Sequence, residues 1–228
     1  MASREVKIFE TLPMNKDVHD TIIGFVGPGF IARKTIMYIA DYENFSLAAH
    51  VKSQLLPPLI PIIDGQHTQN FRIYYKKEKN MLLVTSDALI SDKNSRPVGR
   101  ALMDWFLSKG VKHFYSIQEV HVDIPPRERV IYGFSTDEID LSQFGVERIK
   151  EGAITGINAS ILEECMKNGF SWTSLFVPTN LVTIVDYGGS VAIIDVLNKM
   201  FKLDVNVNSL KQLNKMVSKM MERRPKRN

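Results

Sequence analysis

The apolar positions of this chain fall into short runs that switch between two periods. Residues 22–26, Ile-Ile-Gly-Phe-Val, form an apolar run of the length of a buried strand. Gly27-Pro28-Gly29 interrupts it, and Phe30, Ile31, Ile36, Met37 and Ile39 then recur at helical spacing. A strand, a tight turn and a helix are predicted there. The glycines supply backbone freedom, and Pro28 has the fixed φ suited to the first turn of a helix. Such a unit near the start of a chain predicts strands and helices alternating around a largely parallel sheet.

The same reading carries on downstream. Residues 45–54 predict a second strand, and residues 70–75 and 81–86 a hairpin joined across the charged turn 76–80. A helix is expected to open at Pro97 behind a Ser95 cap, bury Val98, Leu102, Trp105 and Phe106, and close at Gly110. Strands follow at 111–117, 130–134 and 172–177, the last stopped by Pro178, with a polar loop at 118–129 and a helix start at 135–138 leading into a short helix or loop to Gly145. A second glycine turn at 152–156 leads into a helix that ends at Gly169, and residues 186–200 predict a well-buried helix. Ser209 caps a final helix with Leu210, Leu213, Val217, Met220 and Met221 on one side and Lys211, Lys215 and Lys219 on the other. The order predicts an α/β fold, a three-layer α/β/α sandwich with a mixed sheet plus a C-terminal helix. Its parts are a lead-in over 1–20, a core domain over 21–207, and a helix with a basic tail over 208–228.

One stretch fits no regular element. Residues 55–63 read Leu-Leu-Pro-Pro-Leu-Ile-Pro-Ile-Ile, and three prolines exclude a central strand or a helix. An extended apolar loop of this kind must be covered by its own core or by another chain. Leu55, Leu56, Leu59 and Ile60 are therefore candidate interaction residues, as are Met220, Met221, Arg223 and Arg224 near the other end.

Composition adds mainly exclusions. The 29 basic residues barely exceed the 25 acidic ones, and Arg223, Arg224, Lys226 and Arg227 cluster at the end, so the body is close to neutral and nucleic-acid binding is not expected. Cys165 is the single cysteine, which excludes an internal disulfide and a cysteine-cluster metal site and fits a reducing cytosol. It reads as a small buried side chain. No run approaches the roughly 20 apolar residues that cross a bilayer, and no apolar signal core follows Arg4 and Lys7, so a cytoplasmic protein without a membrane partner is expected.

Candidate chemistry is sparse. A helix N-terminus behind Gly27 and Gly29 offers free N–H groups to a phosphate. The turn lacks both the Gly-x-Gly-x-x-Gly spacing and the Gly-Lys-Ser/Thr of a P-loop, which favours a structural role there and at Gly152–Gly156. None of His19, His50, His67, His113 and His121 forms a zinc-binding pair. Ser86 and Asp87 end a strand without a nucleophile elbow and read as a loop-ordering pair. Asp123, Arg127 and Glu128 read as a solvated charge run or as contacts to a polar ligand. No catalytic constellation and no cofactor site emerge.

Several stretches taken in order resemble the proteasome assembly chaperone family, which includes archaeal homologues and the second subunit of the eukaryotic assembly-chaperone pair. They are Gly24-Phe25-Val26-Gly27-Pro28-Gly29-Phe30-Ile31, Leu83-Val84-Thr85-Ser86-Asp87, Val130-Ile131-Tyr132-Gly133-Phe134-Ser135-Thr136, Gly152-Ala153-Ile154-Thr155-Gly156, and an expected ending helix-strand-helix from Ile193 onward. The resemblance implies a phosphorylase-like α/β/α scaffold used for binding, homo- or hetero-oligomers, and a role in assembling the proteasome core particle. Some members of the family use a hydrophobic-tyrosine-any residue tail. This chain departs from that pattern: its last residues carry no penultimate tyrosine, and Glu119-Val-His-Val-Asp-Ile-Pro-Pro replaces the glycine-rich, acid-containing loop after the fifth strand. The resulting expectation is a non-enzymatic, homo-oligomeric protein-binding chaperone whose client is a proteasome α-subunit or another protein. The alternative is a phosphorylase-like enzyme or phosphate-metabolite binder using Gly27 and Gly29, with Asp87 or Asp123 as polar partners.

Overall fold

The computed structural model describes residues 6–14, 18–124 and 129–222. Along the chain run β1 (Lys7–Glu10), β2 (Asp20–Phe25), α1 (Ile31–Tyr42), β3 (Ser46–Lys52), β4 (Ile62–Ile63), β5 (Gln66–His67), β6 (Phe71–Lys76) and β7 (Met81–Ser86). They are followed by α2 (Asp92–Ser108), β8 (His113–His121), β9 (Ile131–Ser135), β10 (Val146–Arg148), α3 (Gly156–Asn168), β11 (Ser171–Thr179), α4 (Tyr187–Phe201) and α5 (Asn208–Glu222). Nine strands make one sheet in the order β1-β3-β6-β7-β2-β8-β11-β9-β10, and β4 and β5 form a small separate hairpin.

The middle of the sheet, β7-β2-β8-β11, is parallel throughout. Its strands are covered on both faces, which is why β2 reads as an unbroken apolar run and not as an alternation. The first strand-turn-helix does return the chain to the sheet parallel to β2, but the β6–β7 hairpin stands between β2 and β3. Two helical layers cover the sheet. On one face Ile22, Leu83, Ile117, Leu175 and Val177 pack with Ile36 and Ile39 of α1 and Ile193 and Leu197 of α4. On the other, Ile23, Val84, Phe114 and Trp172 pack with Leu102 and Phe106 of α2 and Ile161 and Cys165 of α3. Cys165 is fully buried, and burial pushes its thiol up to about 12. α5 docks beside α4 through Leu210, and the Tyr38 hydroxyl of α1 donates to the Asn206 carbonyl at 2.7 Å.

Several expected boundaries move, each for a local reason. α2 begins at Asp92, so Pro97 lies inside it, and the carbonyl that the proline ring leaves without a donor belongs to exposed Lys93. β8 runs on to His121 through what reads as polar loop, because β11 pairs with it over that whole length. Pro178 sits within β11 beyond the end of its ladder with β9, which pairs only as far as Phe176, so no strand there needs an N–H from residue 178. Residues 135–138 are not helical. A 3-10 turn forms at Leu141–Phe144 instead, capped by Asp140, whose Oδ1 accepts from the Ser142 N–H at 3.0 Å. Ser209 does not cap α5, which already begins at Asn208; its hydroxyl lies 2.7 Å from the Tyr38 hydroxyl.

The approach of α1 to the sheet depends on Gly24. A Cβ there would stand 2.7 Å from Ile36 Cγ1 and 2.8 Å from the Ala32 carbonyl oxygen, closer than packed atoms allow. Gly24→Val is expected to lower unfolding free energy by about 1–3 kcal/mol, read from urea denaturation, through overpacking against α1. Native Cys165 is expected to resist a thiol-reactive dye until the denaturant unfolds the chain.

Candidate functional site

Open α/β sheets bind ligands beyond the carboxyl ends of parallel strands, where successive connections leave to opposite faces. Here that place lies above β2, β7 and β8: the chain leaves β2 for α1 on one face and β7 for α2 on the other. Three carboxyl groups stand there, and each is held by the protein itself.

Glu119, near the end of β8, reaches the N-terminus of α1. Its Oε1 accepts from the Ala32 N–H at 2.8 Å, and a Cβ on Gly27 would stand 2.4 Å from its Oε2. The place foreseen for a phosphate at Gly27 and Gly29 is thus met by a side-chain carboxyl, which takes the Ala32 N–H and would have to shift to admit a side chain at residue 27. Burial pushes the Glu119 carboxyl up to about 7, against the N–H groups of Ala32 and Ile31, which pull it down.

Asp186 is the second. It is 1% exposed and caps α4: Oδ1 accepts from the Gly189 N–H at 2.9 Å, and Oδ2 from the Thr179 hydroxyl at 2.7 Å. Arg129 Nη2 completes it at 2.9 Å, while Nη1 of the same guanidinium donates to the Pro178 carbonyl. Its backbone N–H donates to the Gly29 carbonyl at 2.8 Å, tying the glycine turn to α4. Gly29 at φ 70° and Phe30 at φ 52° both adopt left-handed backbone, which lets the turn double back onto α1.

Asp87, just past β7, bridges two arginines: Oδ1 accepts from Arg33 Nε on α1 and Oδ2 from Arg72 Nη2 on β6. Arg72 is fully buried, and its Nε and Nη1 find no hydrogen-bond partner among the described residues. Ser86 orders the adjacent loop, its hydroxyl accepting from the Ala88 N–H at 3.1 Å. Asp123 is exposed, and Arg127 and Glu128 lie outside the described residues. Among the described residues no group of three or more His, Cys, Asp or Glu side chains could hold a metal ion.

The candidate interaction residues divide. Leu56 is 7% exposed and belongs to the core on the α2 side, with Leu55 packed against it and the Leu55 carbonyl accepting from Asn94 Nδ2 of α2 at 2.6 Å. Leu56 is therefore part of the core, at the edge of the groove beneath the loop. Leu59 and Ile60 are exposed at a groove of about 810 Å³ formed with Pro57, Pro58 and Asn70, and Ile62 nearby in the chain is 76% exposed. Met220 and Met221 are exposed at the end of α5, and Arg223 and Arg224 lie outside the described residues.

These features define an α/β/α sandwich whose strand-end crevice is closed by its own carboxyl groups. The chain belongs to the PAC2 family, whose model matches residues 21–224. It is similar to an uncharacterised protein of Methanocaldococcus jannaschii, 26% identical over 192 residues, covering 83% of this chain and 78% of that one. The fold is that of two Pyrococcus furiosus proteins. PbaA, an archaeal homologue of proteasome-assembly chaperone, superposes with a TM-score of 0.84 at 22% identity, over 95% of this chain and 90% of PbaA. PbaB, an archaeal proteasome activator, superposes with a TM-score of 0.84 at 17% identity, over 96% of this chain and 98% of PbaB.

The folded chain holds the Glu119 proton up to about pH 7, whereas the ordinary glutamate value is 4.5, so between those values the folded state binds more protons than the unfolded one. Stability should fall as pH rises through that window. Glu119→Gln should flatten the fall and raise stability at pH 8 by about 2–3 kcal/mol relative to the parent chain, measured by denaturation across pH. Asp87→Ala leaves Arg72 buried and unpaired and should cost about 3–5 kcal/mol; Asp87→Ala combined with Arg72→Met should recover much of that loss.

Proposed function

We propose that this chain is a non-enzymatic, oligomeric chaperone of proteasome assembly, acting in the cytoplasm by apolar contact with partner subunits. The observation that carries the reading is the loop at 55–63. Its inner residues, Leu55 and Leu56, anchor it to the core, while Leu59 and Ile60 between Pro58 and Pro61, and Ile62 just after Pro61, are exposed. Apolar side chains fixed by proline lose little conformational freedom when a partner covers them, which favours association. The described functions of PbaA and PbaB support the proteasome as the setting. A phosphate-metabolite site at Gly27 and Gly29 has less support, because the Glu119 carboxyl already takes the Ala32 N–H and the Gly29 N–H donates to the Val182 carbonyl.

Co-expression with proteasome α-subunits, followed by affinity capture and native mass measurement, tests the reading: an α-subunit complex of defined stoichiometry is expected. A monodisperse monomer that captures no α-subunit would sink it. Ile60→Asp with Ile62→Asp, both at exposed positions, should lower the oligomeric state or the captured α-subunit at least about tenfold without changing the melting temperature, since each charge opposes burial of its site.

A further inference from the structure

A second surface lies apart from the proline-stiffened loop. Between the 3-10 turn at residues 141–144, α4 and α5 there is a groove of about 600 Å³. Ile131, Phe144, Val191 and Val196 give it an apolar floor. Its rim carries Lys199 from α4 and Lys211 and Lys215 from α5, all exposed. One exposed carboxylate, Asp195, stands against these three ammonium groups, and the remaining charged group in the wall, Arg129, is already matched by Asp186. Among the described residues none of the three lysines forms an ion pair.

Helix stability does not account for this arrangement. Lys211 stands in the first turn of α5, where the helix dipole disfavours a cation, and no acidic residue shares that turn. Lys215 follows it four residues later, a like-charge spacing that costs an isolated helix a few tenths of a kcal/mol. Lys199 alone has the dipole in its favour, in the last turn of α4. Two local penalties on one rim are offset when the rim meets negative charge.

We propose that this groove receives an acidic polypeptide segment of a partner protein, its carboxylates meeting Lys199, Lys211 and Lys215 and an apolar side chain resting on Phe144 and Val191. The spacing suits a peptide. Lys211 and Lys215 are about 6 Å apart along the helix axis, close to the roughly 6.6 Å between alternate residues of an extended chain. The apolar floor between the lysines suits a peptide side chain, and the Asn214 amide in the same wall can meet its backbone.

The test is fluorescence anisotropy on the full chain with a labelled peptide of alternating glutamate and leucine. The same peptide with glutamine for glutamate and a labelled oligothymidylate serve as the comparison arms. The glutamate peptide should bind saturably, weaken with salt, and lose about tenfold or more in affinity in the Lys211→Glu, Lys215→Glu variant. Both positions are exposed, and a carboxylate suits the first turn of α5, so the melting temperature should stay level or rise. Equal binding of the glutamine peptide, unchanged affinity in the double variant, no saturable binding of the glutamate peptide, or tighter binding of the oligothymidylate would each overturn the proposal.

Discussion

The start of α1 is the constraint on which the rest of the molecule depends. A helix N-terminus at the carboxyl edge of a sheet presents donors that must be satisfied. Here Glu119 supplies the acceptor from the neighbouring strand, while Asp186 holds the turn from the other side through the Gly29 carbonyl. β2, β8, β11 and α4 therefore converge on one turn of glycines. The arrangement explains why Gly27 carries no side chain and why Gly29 and Phe30 tolerate left-handed backbone.

A crevice in this position is where many α/β proteins bind a ligand. In this chain the same physics is satisfied internally. Asp87 between Arg33 and Arg72 repeats the theme one strand over, with a buried guanidinium matched by a carboxylate that substrate chemistry would otherwise use. The two surfaces proposed for recognition lie elsewhere: the proline-stiffened loop with Ile60 and Ile62, and the lysine-rimmed groove beside α5.

Much of the fold was legible in the residues, because runs such as Ile22–Val26 and 81–86 are buried on both faces and their apolar character does not depend on register. The helices carry clear stripes, and Gly110 and Gly169 mark ends that left-handed backbone makes real. What escaped notice was short or non-local. β10 has three residues with only Val146 buried, too few to show a period. β8 keeps polar residues in its last turns of chain because β11 supplies the pairing, and that pairing is what delivers Glu119 to the glycine turn. Nothing in the local pattern around residue 119 marks it, since its partner lies 87 residues away. Leu56 shows the same limit from the other direction: an apolar loop can be read, but which of its side chains turns inward depends on α2.

The rims of the sheet carry a consequence for how copies or clients can meet. One outer strand, β1, has four residues and the other, β10, has three, so neither margin offers enough free backbone to extend the ladder into a neighbouring molecule. Growth by strand addition, with its route to fibrous aggregates, is disfavoured at both borders. Assembly is left to side-chain surfaces on helices and loops, whose shape and charge can discriminate one neighbour from another.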